Sequence, residues 1–130
     1  MIKNPLEQDS FYPYAEKDQK CSYDRLVSNG VITGFKDVNS ATGGADQLRA
    51  ALVNQPVSVA IEADKTAFKS YTGGVITEGC GTNIDHGVLA VGYGTENGHE
   101  YFLVKNSWGP SWGDNGYVKI GANNICGILM

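Results

Sequence analysis

The chain has 130 residues, enough for one domain with a real core, and no more than one is expected. Its 42% hydrophobic content is that of an ordinary globular protein, and its net charge of −4 is spread without any cluster of lysine or arginine. These features argue against a nucleic-acid partner and against docking on an anionic membrane, and no apolar stretch approaches the roughly 20 residues that span a bilayer.

Residues 1–24 are polar, with Phe11, Tyr12 and Tyr14 around Pro13 and the charged run Glu16-Lys17-Asp18-Gln19-Lys20. Proline and charge together predict an irregular arm. The start, Met1-Ile2-Lys3-Asn4-Pro5-Leu6-Glu7, lacks the apolar core of a secretory signal. Val31 to Val38 alternates well enough to predict a strand, with Gly34 as a bulge, and a turn is predicted over 39–44. Asp46 to Val53 carries Leu48, Ala51 and Leu52 on one helical face and stops ahead of Pro56. Val57, Val59 and Ile61 then alternate with Ser58, Ala60 and Glu62, the pattern of a strand buried on one face.

Lys65 to Tyr71 is predicted to make a helical turn that Gly73-Gly74 ends. A loop through Cys80 leads into two apolar runs, one beginning near His86 and one at Tyr101, separated by Gly94, Asn97 and Gly98. That spacing predicts a β-hairpin with His86 at one end and Asn106 at the other. Gly116 to Gly121 predicts a last strand. Strands outnumber helices, and the 17 glycines also favour a β-rich fold.

The hairpin gives the strongest chemical signal. Antiparallel pairing would set the imidazole of His86 beside the amide of Asn106, 20 residues away, provided the two share a face. A lone histidine is most often structural, but an amide oxygen accepting from one ring nitrogen fixes the tautomer and leaves the other nitrogen free to face a thiol. His99, in the hairpin turn, is read as exposed and uninvolved. The three cysteines, Cys21, Cys80 and Cys126, show no CxxC spacing, and an odd count leaves one thiol over. Cys80, Asp85, His86 and Cys126 fit none of the usual zinc patterns, and no pair of carboxylates suggests glycoside hydrolysis.

Asp85-His86-Gly87-Val88 and the run Lys105-Asn106-Ser107-Trp108-Gly109-Pro110-Ser111-Trp112-Gly113-Asp114-Asn115-Gly116-Tyr117 closely resemble the C-terminal half of papain-like cysteine peptidases, the papain and cathepsin type. Tyr12-Pro13-Tyr14, Asn54-Gln55-Pro56-Val57-Ser58-Val59 and Cys126-Gly127 extend the likeness to nearly the whole chain. The resemblance implies an α+β fold, mostly antiparallel β: the right-hand, barrel-like domain of the papain fold with one short helix. Residues 1–24 would be an irregular interdomain arm, and 25–130 the β domain, truncated at its C-terminus.

By the same resemblance His86 is the general base and ion-pair partner of a thiolate, and Asn106 its orienting amide. Trp108 shields their hydrogen bond, with Trp112 on the leaving-group side. Ala60, Ile84, Asp85 and Gly87 match substrate-pocket positions. Cys80 and Cys126 are implied to be disulfide-bonded, closing a loop worth roughly 4 kcal/mol in the chain-entropy model. Cys21 is left as a free thiol.

The family's nucleophile lies in Cys-Gly-(Ser/Ala)-Cys-(Trp/Tyr), about 130 to 150 residues before its histidine. Only 85 residues precede His86, and none of the three cysteines has that context. The expectation is therefore a cysteine-type endopeptidase half that is inactive alone and needs no metal or cofactor. Its expected partners are a peptide or protein substrate and either a complementary cysteine-bearing half or a second copy, with protease inhibitors as further ligands. The alternative is a peptide- or inhibitor-binding pseudo-peptidase module. The resemblance implies a lysosomal, vacuolar or extracellular setting.

Overall fold

Asn97 and Gly98 both adopt positive φ, 51° and 80°, the backbone a two-residue hairpin turn needs, and an Asn-Gly pair adopts it at little cost. They join β5 (His86–Glu96) to β6 (His99–Lys105) in the longest antiparallel pair of the molecule. The computed structural model describes residues 6–23, 28–30, 32–38 and 44–130, and the chain divides after Asp37 into two compact units.

In the first unit β1 (Leu6–Glu7) pairs antiparallel with β2 (Ser28–Gly30), and most of the other described residues are irregular. The backbone N–H of Ser22 donates to the Tyr12 hydroxyl at 3.2 Å, and Cys21 is an exposed free thiol. The strand predicted from Val31 to Val38 does not form over the described residues 32–38, where Phe35 is 83% exposed. Alternation makes a strand only where a neighbouring strand accepts its hydrogen bonds. Most of the turn predicted over 39–44 lies outside the described residues.

The second unit holds α1 (Gly44–Leu52), β3 (Val57–Ile61), the single turn α2 (Thr66–Lys69), β4 (Val75–Ile76), β5, β6 and β7 (Tyr117–Gly121). Its five strands form one sheet in the order β3-β5-β6-β7-β4, antiparallel except for the β4–β7 pair. Val88 and Ala90 of β5, Phe102 and Val104 of β6, and Val118 and Ile120 of β7 are buried, and the register sets Ala90 beside Val104, Val104 beside Val118, and Phe102 beside Ile120. This is the predicted mostly antiparallel α+β architecture. Burying a side chain such as Phe or Ile completely contributes about 1.5 to 3 kcal/mol, so this face carries a large share of the unit's cohesion.

Helix α1 closes part of the core with Leu48. Arg49 reaches from α1 to Glu100 at 2.8 Å, with its guanidinium 5.9 Å from the Phe102 ring centroid, and fastens the helix to the hairpin. The Tyr71 hydroxyl donates to the carbonyl of Gly74 at 2.5 Å and accepts the N–H of Lys119 at 3.3 Å, tying the end of α2 to β7. Burial pushes the Tyr71 phenol above its ordinary pKa. Cys80 and Cys126 form a disulfide across 46 residues, as the resemblance implied.

Candidate active site

The imidazole and the amide meet because of an irregularity in the hairpin. Counting back from Glu96–His99, a regular ladder would set Asn106 opposite Leu89, on the face away from His86. Between Ala90 and Gly92 the register shifts by one residue, and beyond it Leu89 pairs with Lys105 and Ala90 with Val104. Continued one step, that register puts Asn106 opposite Val88, on the face His86 shares and one diagonal position away. The bulge at Val91 therefore decides whether the two residues can touch.

They do. Asn106 is 7% exposed, and its Oδ1 lies 2.8 Å from His86 Nε2. The backbone N–H of Ser107 donates to the same Oδ1 at 2.8 Å. This second donor fixes which end of the amide faces the ring. Because a carbonyl oxygen only accepts, Nε2 must carry the proton, and in the neutral ring Nδ1 then holds the free lone pair. The Nδ2 of Asn106 is buried without an acceptor among the described residues.

An aromatic cluster braces the ring. The indole of Trp108 stacks on His86 at 5.3 Å between centroids and 29° between planes, and remains 42% exposed on its outer side. Phe68, fully buried, sets its ring against His86, Trp108 and Trp112 at 6.3, 5.4 and 4.8 Å. Trp112 donates its Nε1–H to the carbonyl of Lys69 at 3.1 Å, which holds α2 beside the cluster. An apolar cover of this kind lowers the local dielectric and strengthens the bond beneath it.

Asp85 spends one carboxylate oxygen on the backbone N–H of Ala63 at 2.7 Å, while its own N–H donates to the carbonyl of Ile61 at 3.0 Å. These two bonds pin the start of β5 to the end of β3. Ala60 pairs with Gly87 across the same two strands, and a side chain at Gly87 would meet open space. A depression of about 190 Å³ is lined by Asp85, His86, Trp108, Ala63, Asp64 and Lys69. A wider one of about 580 Å³ is bordered by Gly87, Asn106, Ser58 and Lys105 among others. Asp85 and Gly87 thus line different depressions, and Ile84 and Ala60 line neither. His99 is exposed at the start of β6. Phe68, Ala63, Asp64, Lys69 and the Ser107 N–H were not singled out from the sequence; only the Phe68–Tyr71 spacing hinted at an aromatic face on α2.

The family model for papain family cysteine proteases matches residues 1–130. Oryzain beta chain of Oryza sativa subsp. japonica is 47% identical over all of this chain, which covers 29% of that protein. Senescence-specific cysteine protease SAG39 of Oryza sativa subsp. indica is 44% identical over all of this chain, which covers 40% of it. Among solved structures, a bromelain protease from Ananas comosus superposes with a TM-score of 0.83 at 33% identity, covering 99% of this chain and 62% of that one. Digestive procathepsin L 3 of Tenebrio molitor gives a TM-score of 0.86 at 36% identity, covering 98% and 43%. The chain spans between about three tenths and two fifths of the length of these curated relatives. The hairpin geometry, the sheet and the match over every residue lead to one conclusion: this chain belongs to the papain family of cysteine proteases.

Proposed function

We propose that the chain supplies the histidine and asparagine of a cysteine endopeptidase site whose nucleophilic thiol lies outside these 130 residues. The observation that carries this reading is the 2.8 Å contact between His86 Nε2 and Asn106 Oδ1, with the Ser107 N–H holding the amide in place. Nδ1 is the proton acceptor this arrangement leaves available. Of the chain's own thiols, Cys80 and Cys126 are consumed in a disulfide and Cys21 lies outside the family's nucleophile motif.

In the assembled site Nδ1 takes the thiol proton, and the resulting thiolate and imidazolium form an ion pair. The thiolate sulfur attacks the carbonyl carbon of a peptide bond. The imidazolium then gives its proton to the departing amine, leaving an acyl thioester on the cysteine. Water, deprotonated by the same ring, releases the acid and restores the thiol. Asn106 keeps the ring in one tautomer through the cycle, and Trp108 keeps water from its hydrogen bond. The substrate is a peptide or protein, and the relative solved in complex with an inhibitor supports protease inhibitors as a second ligand class. The disulfide supports an oxidising compartment such as the vacuole, lysosome or extracellular space.

The test is hydrolysis of a fluorogenic peptide amide by the chain alone and by the chain combined with a cysteine-bearing N-terminal half of a papain-family enzyme. Activity that appears only on combination supports the reading. Tight inhibitor binding without turnover in the combined sample would instead favour a pseudo-peptidase.

A further inference from the structure

Glu62 is 3% exposed, yet it stands one residue beyond β3 on the face the alternation assigns to solvent. Its carboxylate is covered by the segment that follows the disulfide. The N–H of Gly81 donates to Glu62 Oε2, and Lys65 Nζ lies 3.3 Å from Oε1. A Cβ at Gly81 would meet the same carboxylate, 2.7 Å from Oε2. The Glu62 backbone N–H donates to the carbonyl of Cys126 at 2.8 Å, so the same residue grips both sides of the disulfide. Lys65 in turn lies 3.1 Å from Asp64, which lines the depression beside the imidazole. Its ammonium is held above the ordinary lysine pKa by the hydrogen bond to Asp64 first and by Glu62 second.

The segment from Cys80 to Asp85 has no strand or helix of its own, and His86 is the residue that follows it, at the end of the β3–β5 ladder. Among the contacts that hold that segment are the disulfide at Cys80, the Glu62 bond at Gly81, and the two Asp85 bonds to Ile61 and Ala63. Glu62 lies between Ile61 and Ala63, the two residues that Asp85 grips. A buried carboxylate with both a backbone N–H and an ammonium as partners is costly to disturb, because removing its charge leaves the donors unmatched.

We propose that Glu62 is a positioning residue for the catalytic half-site, fixing the loop that carries His86 onto the end of β3 so that the imidazole meets Asn106. This rests on the reading of His86 given above. It extends that reading to a group that touches neither substrate nor thiol.

The experiment compares the wild-type chain, Glu62→Gln, Gly81→Ala and Val104→Ala by amide hydrogen exchange and by nitrogen NMR of the His86 ring. Glu62→Gln keeps an acceptor for Gly81 but cannot pair with Lys65. Gly81→Ala leaves the glutamate intact and pushes its carboxylate aside with one methyl group, so it serves if the first variant does not fold. Val104→Ala lowers stability from a fully buried site away from the loop. The expected result is exchange at Gly81, Ala63 and Asp85 faster by on the order of tenfold relative to core amides, with loss of the single His86 tautomer, in the Glu62 and Gly81 variants and not in Val104→Ala. His86 signals and loop exchange that stay at wild-type values in the folded variants, or that change equally in Val104→Ala, overturn the proposal. A wild-type ring already lacking the Nε2–H tautomer would instead overturn the reading of the half-site.

Discussion

His86→Ala is expected to lower peptide-amide hydrolysis by the combined enzyme by roughly 10²- to 10⁴-fold, the usual contribution of a positioned general base. The loss should fall on kcat, because the ring acts on the thiol and the leaving amine more than on bound substrate. Its position at the end of β5, half-buried and stacked on Trp108, means that alanine removes no more than an edge of the core. The folded fraction should therefore stay near wild type. A kcat within about threefold of wild type would remove His86 from the chemistry.

Phe68→Ala should act in the opposite way, on stability first. Phe68 is completely buried and is the shared floor of the Trp108, Trp112 and His86 rings. Truncating a buried phenylalanine removes its transfer free energy and leaves a cavity, together about 3 to 5 kcal/mol. Neighbours that are large flat rings cannot collapse into such a space without losing their edge-on contacts. Denaturant unfolding followed by tryptophan fluorescence measures the effect directly. A shift corresponding to less than about 1 kcal/mol would mean that the cluster is looser than its ring distances indicate.

Much of this was legible in the chain itself. The Asn97-Gly98 turn, the apolar runs on either side and the long tryptophan-rich motif placed His86 and Asn106 at adjacent strand ends, and strict alternation marked β3. Two things were hidden. The first was the shared face: pairing from the turn, taken regularly, sends Asn106 to the wrong side of the sheet, and only the extra residue near Val91 corrects it. A bulge sets two residues of one strand against one of its partner, so alternation within one segment does not reveal it. The second was Glu62, whose place in the pattern is that of a solvent-facing residue. The loop that buries it is brought in by the disulfide from 18 residues away, a tertiary effect absent from local periodicity. The strand expected from Val31 to Val38 does not form over residues 32–38 for a related reason, since alternation is present but no strand among the described residues pairs with it.

The claim beneath all of this is that Asn106 holds the His86 ring with its proton on Nε2 and its lone pair on Nδ1. Ring-nitrogen NMR of the wild-type chain and of Asn106→Ala, recorded above the pH at which imidazole loses its charge, measures that tautomer directly. The expected result is a single Nε2–H form with a slowly exchanging proton in the wild type and a rapidly averaging ring in the variant. A proton found on Nδ1 in the wild type, or a ring whose tautomer ignores the loss of Asn106, would contradict it.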